Sequence, residues 1–125
     1  MQSIATTTGA RVEVISAYAA TNQTVDAVDE VSAWNVIGSF YLPLTTSARV
    51  ELVGLVSGAP LVLSMRLFDL TAAAPVSGTT VAVDGTAEER AVSGTVQLQG
   101  GRIYQFQAEV LGASGFGVVK NATLV

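Results

Sequence analysis

Cysteine and histidine are both missing from the 125 residues, and lysine occurs once, as Lys120. Without cysteine there is no disulfide framework, no thiolate nucleophile and no thiolate metal site. Without histidine the usual general base, the usual metal-binding imidazole and the near-neutral pH switch are absent. A Ser-His-Asp triad is therefore impossible, and a Ser-Lys dyad would have to use Lys120, around which no motif stands. Charge is scarce as well: 13% of the residues are charged, about half the usual share. Arg11, Arg49, Arg66, Arg90, Arg102 and Lys120 are scattered in a chain of net charge −4. No basic run exists to release phosphate counterions, which excludes a nucleic-acid-binding surface of the common kind. No apolar run approaches the roughly 18 residues of a membrane span, and no basic amphipathic helix is visible. The opening MQSIATTTGARVEV has neither a basic segment nor a continuous apolar one, so a signal peptide is not expected there.

What remains is apolar and small. Half of the residues (50%) are hydrophobic, and mean hydropathy is +0.50. A folded chain of this mass exposes roughly 6,300 Å², and sixteen charges (6 + 10) on that surface are sparse. Either other subunits cover much of the surface, or Ser, Thr, Gln and Asn keep it soluble. Coverage is the expectation.

Period-2 alternation dominates the chain, with turn residues at about every 8–12 positions, the pattern of sandwiches and barrels. The expected architecture is all-β: a single-domain, two-sheet antiparallel β-sandwich of jelly-roll type with about eight strands. Residues 1–9 are expected to form a flexible N-terminal arm, and 10–125 the domain. Expected strands are Arg11–Tyr18, a strand in SAWNVIGSFYLPL, Arg49–Val56, Leu61–Leu70, Thr79–Val83, Gly94–Gln99, Arg102–Leu111 and Phe116–Leu124. Trp34, Val36, Phe40 and Leu42 are placed inward by alternation, and Pro43 ends that strand or marks an edge. Residues 89–93 are expected to pair back across the Asp84-Gly85 turn. Thr21–Val31 is read as a polar connection in which 25–33 could form one or two helical turns. If 94–99 and 102–111 are direct neighbours, a three-residue Gln99–Gly101 turn with a left-handed glycine is required. Only that turn puts Val96 on the face of Tyr104, Phe106, Ala108 and Val110.

No residue set announces catalysis, and no cofactor or metal is expected. Glu13, Glu51 and Glu109 fall on polar strand faces as solvated or interface charges; nothing pairs them as glycoside hydrolysis would need. Asp26, Asp29 and Glu30 match no calcium loop. Glu88, Glu89 and Arg90 read as a solvated loop tip. Among the aromatics, Trp34 and Tyr104 are assigned to the core, and Tyr41 is the exposed one. The nominally wet faces of two strands are nevertheless apolar: Val62 and Phe68 on one, Ile37 and Tyr41 on the other. Large exposed apolar patches mark partner surfaces, so these four are the candidate interface residues.

The run RLFDLTAAAPVSG carries Arg66, Leu67, Phe68, Asp69 and Thr71, followed by Pro75, Val76 and Gly78. The later segments LQGGRIYQFQ and NATLV contribute Leu98, Gly101, Tyr104, Gln107, Ala122 and Leu124. In these positions, over about three-quarters of its length, the chain resembles the small β-sandwich structural proteins of tailed bacteriophages. The resemblance implies a non-enzymatic virion protein, such as a capsid decoration, head-fibre or tail component. It also implies a homo-oligomer, commonly a trimer, contacting other virion proteins such as the major capsid protein and assembled in the host cytoplasm. Nucleic acid and membrane are not expected partners. The alternative is a carbohydrate-binding or adhesin β-sandwich module presenting Tyr41.

Overall fold

The computed structural model describes residues 19–28, 34–112 and 114–125. The expected arm over 1–9, the expected strand Arg11–Tyr18, and Glu13, Asp29 and Glu30 lie outside them. The described residues form eleven strands and no helix. Strong alternation becomes strand where it is longest: β4 (Val50–Val56), β5 (Val62–Asp69), β10 (Arg102–Leu111) and β11 (Phe116–Leu124). In β5 every second residue is buried, and Leu63, Met65 and Leu67 are fully so. They meet Leu52 and Val56 of β4, Phe106 and Val110 of β10, and Val119 of β11 in one core. Burial of such side chains contributes about 1.5–3 kcal/mol each.

The strands make two layers around that core, an all-β sandwich. One runs β8 (Glu89–Val92), β4, β11, β1 (Ala19–Val28). The other has β10 at its centre, with β2 (Asn35–Leu42) on one side and β5 on the other. Short β6 (Ala74–Pro75) and β7 (Val81–Val83) pair with the far edge of β5. β1 belongs to both layers. It runs antiparallel to β11 from Ala19 to Asp26, then Ala27 and Val28 pair parallel with Val110 and Leu111 of β10.

Several expectations change here. Residues 21–28, given to a polar connection with helical turns from 25, are strand: Val25 is buried while Thr24 and Asp26 are exposed. Residues 89–92 do not pair back across the Asp84-Gly85 turn; β8 pairs with β4, Leu52 opposite Ala91. β9 (Val96–Leu98) and β10 are not neighbours. β9 pairs instead with β3 (Thr46–Ala48) in a separate two-stranded sheet. Residues 99–101 thus cross between sheets rather than closing a hairpin. The left-handed glycine is present all the same: Gly101 has φ +76° and donates its amide to the Leu42 carbonyl at 2.7 Å. Glycine tolerates this conformation without the Cβ conflict other residues meet.

One irregularity redirects β2. Gly38 lies opposite Phe106 and Val36 opposite Gln107, so Ile37 is an extra residue, a β-bulge. An inserted residue exchanges faces for everything beyond it. Phe40 and Leu42 point inward as expected, Phe40 with its ring centroid 5.8 Å from that of Tyr104. On the other side of the bulge, Ile37 packs against the core and Val36 is 55% exposed. Alternation had assigned these two the other way round.

The loop after β5 is held by side chains that satisfy backbone groups. Asp69 accepts the Ala72 amide at 2.9 Å and an Arg102 guanidinium nitrogen at 2.7 Å. Thr71 accepts the Ile103 amide at 3.0 Å. Fully buried Thr79 accepts the Leu67 amide at 3.0 Å and donates to the Val76 carbonyl at 2.7 Å. Gly78, at φ +84°, supplies the reversal between them.

Candidate interaction face

The outward residues of β2, β10 and β5 form the face opposite the core on the second layer. The pairing register orders it into rows. At one end Tyr41 of β2 lies opposite Ile103 of β10, and the Leu70 amide donates to the Ile103 carbonyl at 2.9 Å. These three residues are 55%, 43% and 45% exposed. The next row carries Ser39, Gln105 and Phe68, then Val36, Gln107 and Arg66. Glu109 opposite Ser64 follows, and Leu111 opposite Val62 closes the face. Arg66 and Glu109 are the charged residues among these positions.

Of the four candidate interface residues, Val62, Phe68 and Tyr41 share this face, although Val62 and Phe68 are only half-exposed. Ile37 does not join them, because the bulge turns it toward the core. Ile103 and Leu70, which complete the exposed row with Tyr41, were not singled out from the sequence. Ile103 stands at an outward position of a regular alternation and was legible there. Leu70 lies just past the end of β5, where alternation gives no assignment.

The middle rows hold a second cluster that sequence reasoning missed. The Arg66 guanidinium carbon lies 4.3 Å from the Trp34 ring centroid and 5.6 Å from that of Phe68. Its Nε donates to Gln107 Oε1 at 2.9 Å, and Gln107 Nε2 donates to Gln105 Oε1 at 3.1 Å. Trp34, assigned to the core, is half-buried in this cluster instead. It precedes the bulge, so the exchange of faces applies to it as to Val36. Glu109, expected as a solvated or interface charge, is only 6% exposed, and its Oε1 has no hydrogen-bond partner. A buried acceptor left unpaired costs about 1–3 kcal/mol, and more when charged.

Other ionic groups lie elsewhere. Arg90 of β8 pairs with Glu51 of β4, and Lys120 of β11 lies 3.9 Å from Glu88. Glu88, Glu89 and Arg90 are exposed, as expected, and Glu89 also accepts the Asp84 and Gly85 amides at 3.1 Å each, capping the turn. Tyr104, assigned to the core, is 2% exposed and donates its hydroxyl to the Gln99 carbonyl at 2.9 Å. Burial, reinforced by the nearby Asp69 charge, raises its pKa.

No family model matches the chain, and no curated protein matches it as a relative.

Proposed function

We propose that the protein is a non-enzymatic structural subunit of a virion of the tailed-bacteriophage type, a capsid decoration or related head or tail component. The observation that carries this is the exposed row formed by Tyr41 of β2, Ile103 of β10 and Leu70 just past the end of β5, on a face with few charges. An apolar row of that kind is favourable to cover and unfavourable to leave in water. The resemblance in the Arg66–Gly78 and Leu98–Gln107 segments supports the same assignment. The action is adhesive. Each subunit contacts further copies of itself, as a trimer, and the major capsid protein, adding interface area that resists heat and internal pressure.

Light scattering behind size exclusion, across a concentration series, tests the self-association. A closed oligomer of constant mass is expected. The double substitution Tyr41→Glu, Ile103→Glu places repeated like charges at the contact, once per copy. It is expected to weaken self-association by at least about 100-fold, since like-charge juxtaposition costs several kcal/mol. A wild-type monomer at every concentration overturns the proposal.

A further inference from the structure

We infer that Asp84 is a site of isoaspartate formation, and that Glu89 holds the site closed while the chain is folded. Asp84 is the one Asp or Asn in the sequence that is followed by glycine. An aspartate rearranges when the amide nitrogen of the next residue attacks its side-chain carboxyl carbon. The N–Cγ bond forms, a Cγ–O bond breaks, and one water leaves with the amide proton, closing a five-membered succinimide. Water then reopens the ring at either carbonyl. One opening restores aspartate, and the other gives isoaspartate, in which the main chain runs through Cγ. No oxidant, reductant or further reagent enters. A following glycine has no Cβ to hinder the attack, and Asp84 is exposed to the water that both steps exchange.

The folded chain withholds the nucleophile. The Gly85 amide donates to Glu89 Oε1 at 3.1 Å, and the Asp84 amide donates to the same oxygen at 3.1 Å. On its other side, the Gly85 carbonyl accepts the Val56 amide at 2.9 Å. Glu89 is itself fixed as the first residue of β8, opposite Gly54 of β4. Turning the Gly85 nitrogen toward Asp84 Cγ breaks its bond to Glu89 and pulls on the bond to Val56. Glycine and Glu89 belong together here: a Cβ at position 85 would stand 2.9 Å from Glu89 Cδ and Oε2. The residue that leaves this peptide open to attack is thus the one that lets the carboxylate come close enough to hold it. Isoaspartate adds an atom to the main chain between β7 and β8, so Gly85 could not keep both contacts afterwards. The inference concerns a single turn and does not rest on assembly.

The full-length protein is aged at neutral pH and physiological temperature, folded and in guanidinium, then digested with trypsin. Cleavage after Arg66 and Arg90 isolates Leu67–Arg90, which holds Asp84 together with Asp69 as an internal control. Chromatography separates the isoaspartyl peptide, and electron-transfer fragmentation assigns its position. In guanidinium, isoaspartate is expected to accumulate at Asp84 and not at Asp69. In the folded protein the rate at Asp84 is expected to be at least about 10-fold lower, and Glu89→Ala is expected to raise it at least about 5-fold, as the loss of a hydrogen bond to a charged group allows. Glu89→Asp, one carbon too short to hold both amides in place, is expected to raise it as well and serves if Glu89→Ala does not fold. The inference is overturned if the folded protein isomerises as fast as the unfolded chain, if Asp69 is modified as readily as Asp84, or if a folded Glu89 variant ages at the wild-type rate.

Discussion

Asp69 is poised between opposing influences. Burial alone would raise the pKa of its carboxyl, but the Ala72 amide, the Arg102 hydrogen bond and the Arg102 charge outweigh burial and hold it below the ordinary value. The unfolded chain, with a carboxyl near pH 4, therefore takes up its proton first as the pH falls. The stability Asp69 contributes is complete above about pH 4 and is lost as the pH drops through its lower folded value. Urea midpoints measured between pH 6 and 3 are expected to fall in the wild type and to fall less steeply in Asp69→Asn. Tyr104 carries the opposite sign. Its raised pKa means its contribution is intact below about pH 10 and is lost above, an alkaline slope that Tyr104→Phe should remove. The residues that carry the phage resemblance are largely of this kind. Asp69, Thr71, Gly78 and Gly101 satisfy backbone groups or permit turns, so they speak of a fold more than of a partner.

At the scale of elements, the sequence made strands legible and their partners much less so. β4, β5, β10 and β11 could be read within a residue or two, because runs of seven or more residues with apolar side chains at about every second position mark strands. The alternation of burial is unbroken in β4 and β5, whereas β10 and β11 also bury consecutive residues. Pairing depends on which edge a chain returns to, which alternation does not encode, so β8 and β9 found partners other than those expected. On the candidate face the bulge at Ile37 hid Trp34 and Val36, since that one residue moved both to the outer face, whereas Leu70 was hidden by lying past the end of β5. The same bulge yields a sharp test. Val36→Asp should change stability by no more than about 1 kcal/mol, as an exposed strand position. Ile37→Asp should cost at least about 2 kcal/mol, because it brings a charge toward the core. Urea unfolding of both variants distinguishes this from an unbroken alternation, which requires the reverse order.

For the molecule as a whole, the two layers differ in chemistry. Glu51–Arg90 and Lys120–Glu88 pair on the β8–β4–β11–β1 layer; on the other layer Asp69–Arg102 pair at the end of β5 and β10, and the outward rows from Tyr41 to Val62 hold Arg66 and Glu109 as their charges. The layers are also joined unequally. β1 hydrogen-bonds to both, whereas among the described residues β7 pairs only with β5 and β8 only with β4. The sandwich is thus bound like a book, with β1 as its spine and β7 and β8 along the fore-edge. A bound book opens at the fore-edge, and amide hydrogen exchange would see it. Amides of Val81–Val83 and Glu89–Val92 should exchange through openings of lower free energy than those of β10 and β11. Faster exchange along β1 than along β7 and β8 would mean that the spine is not where the covers are held.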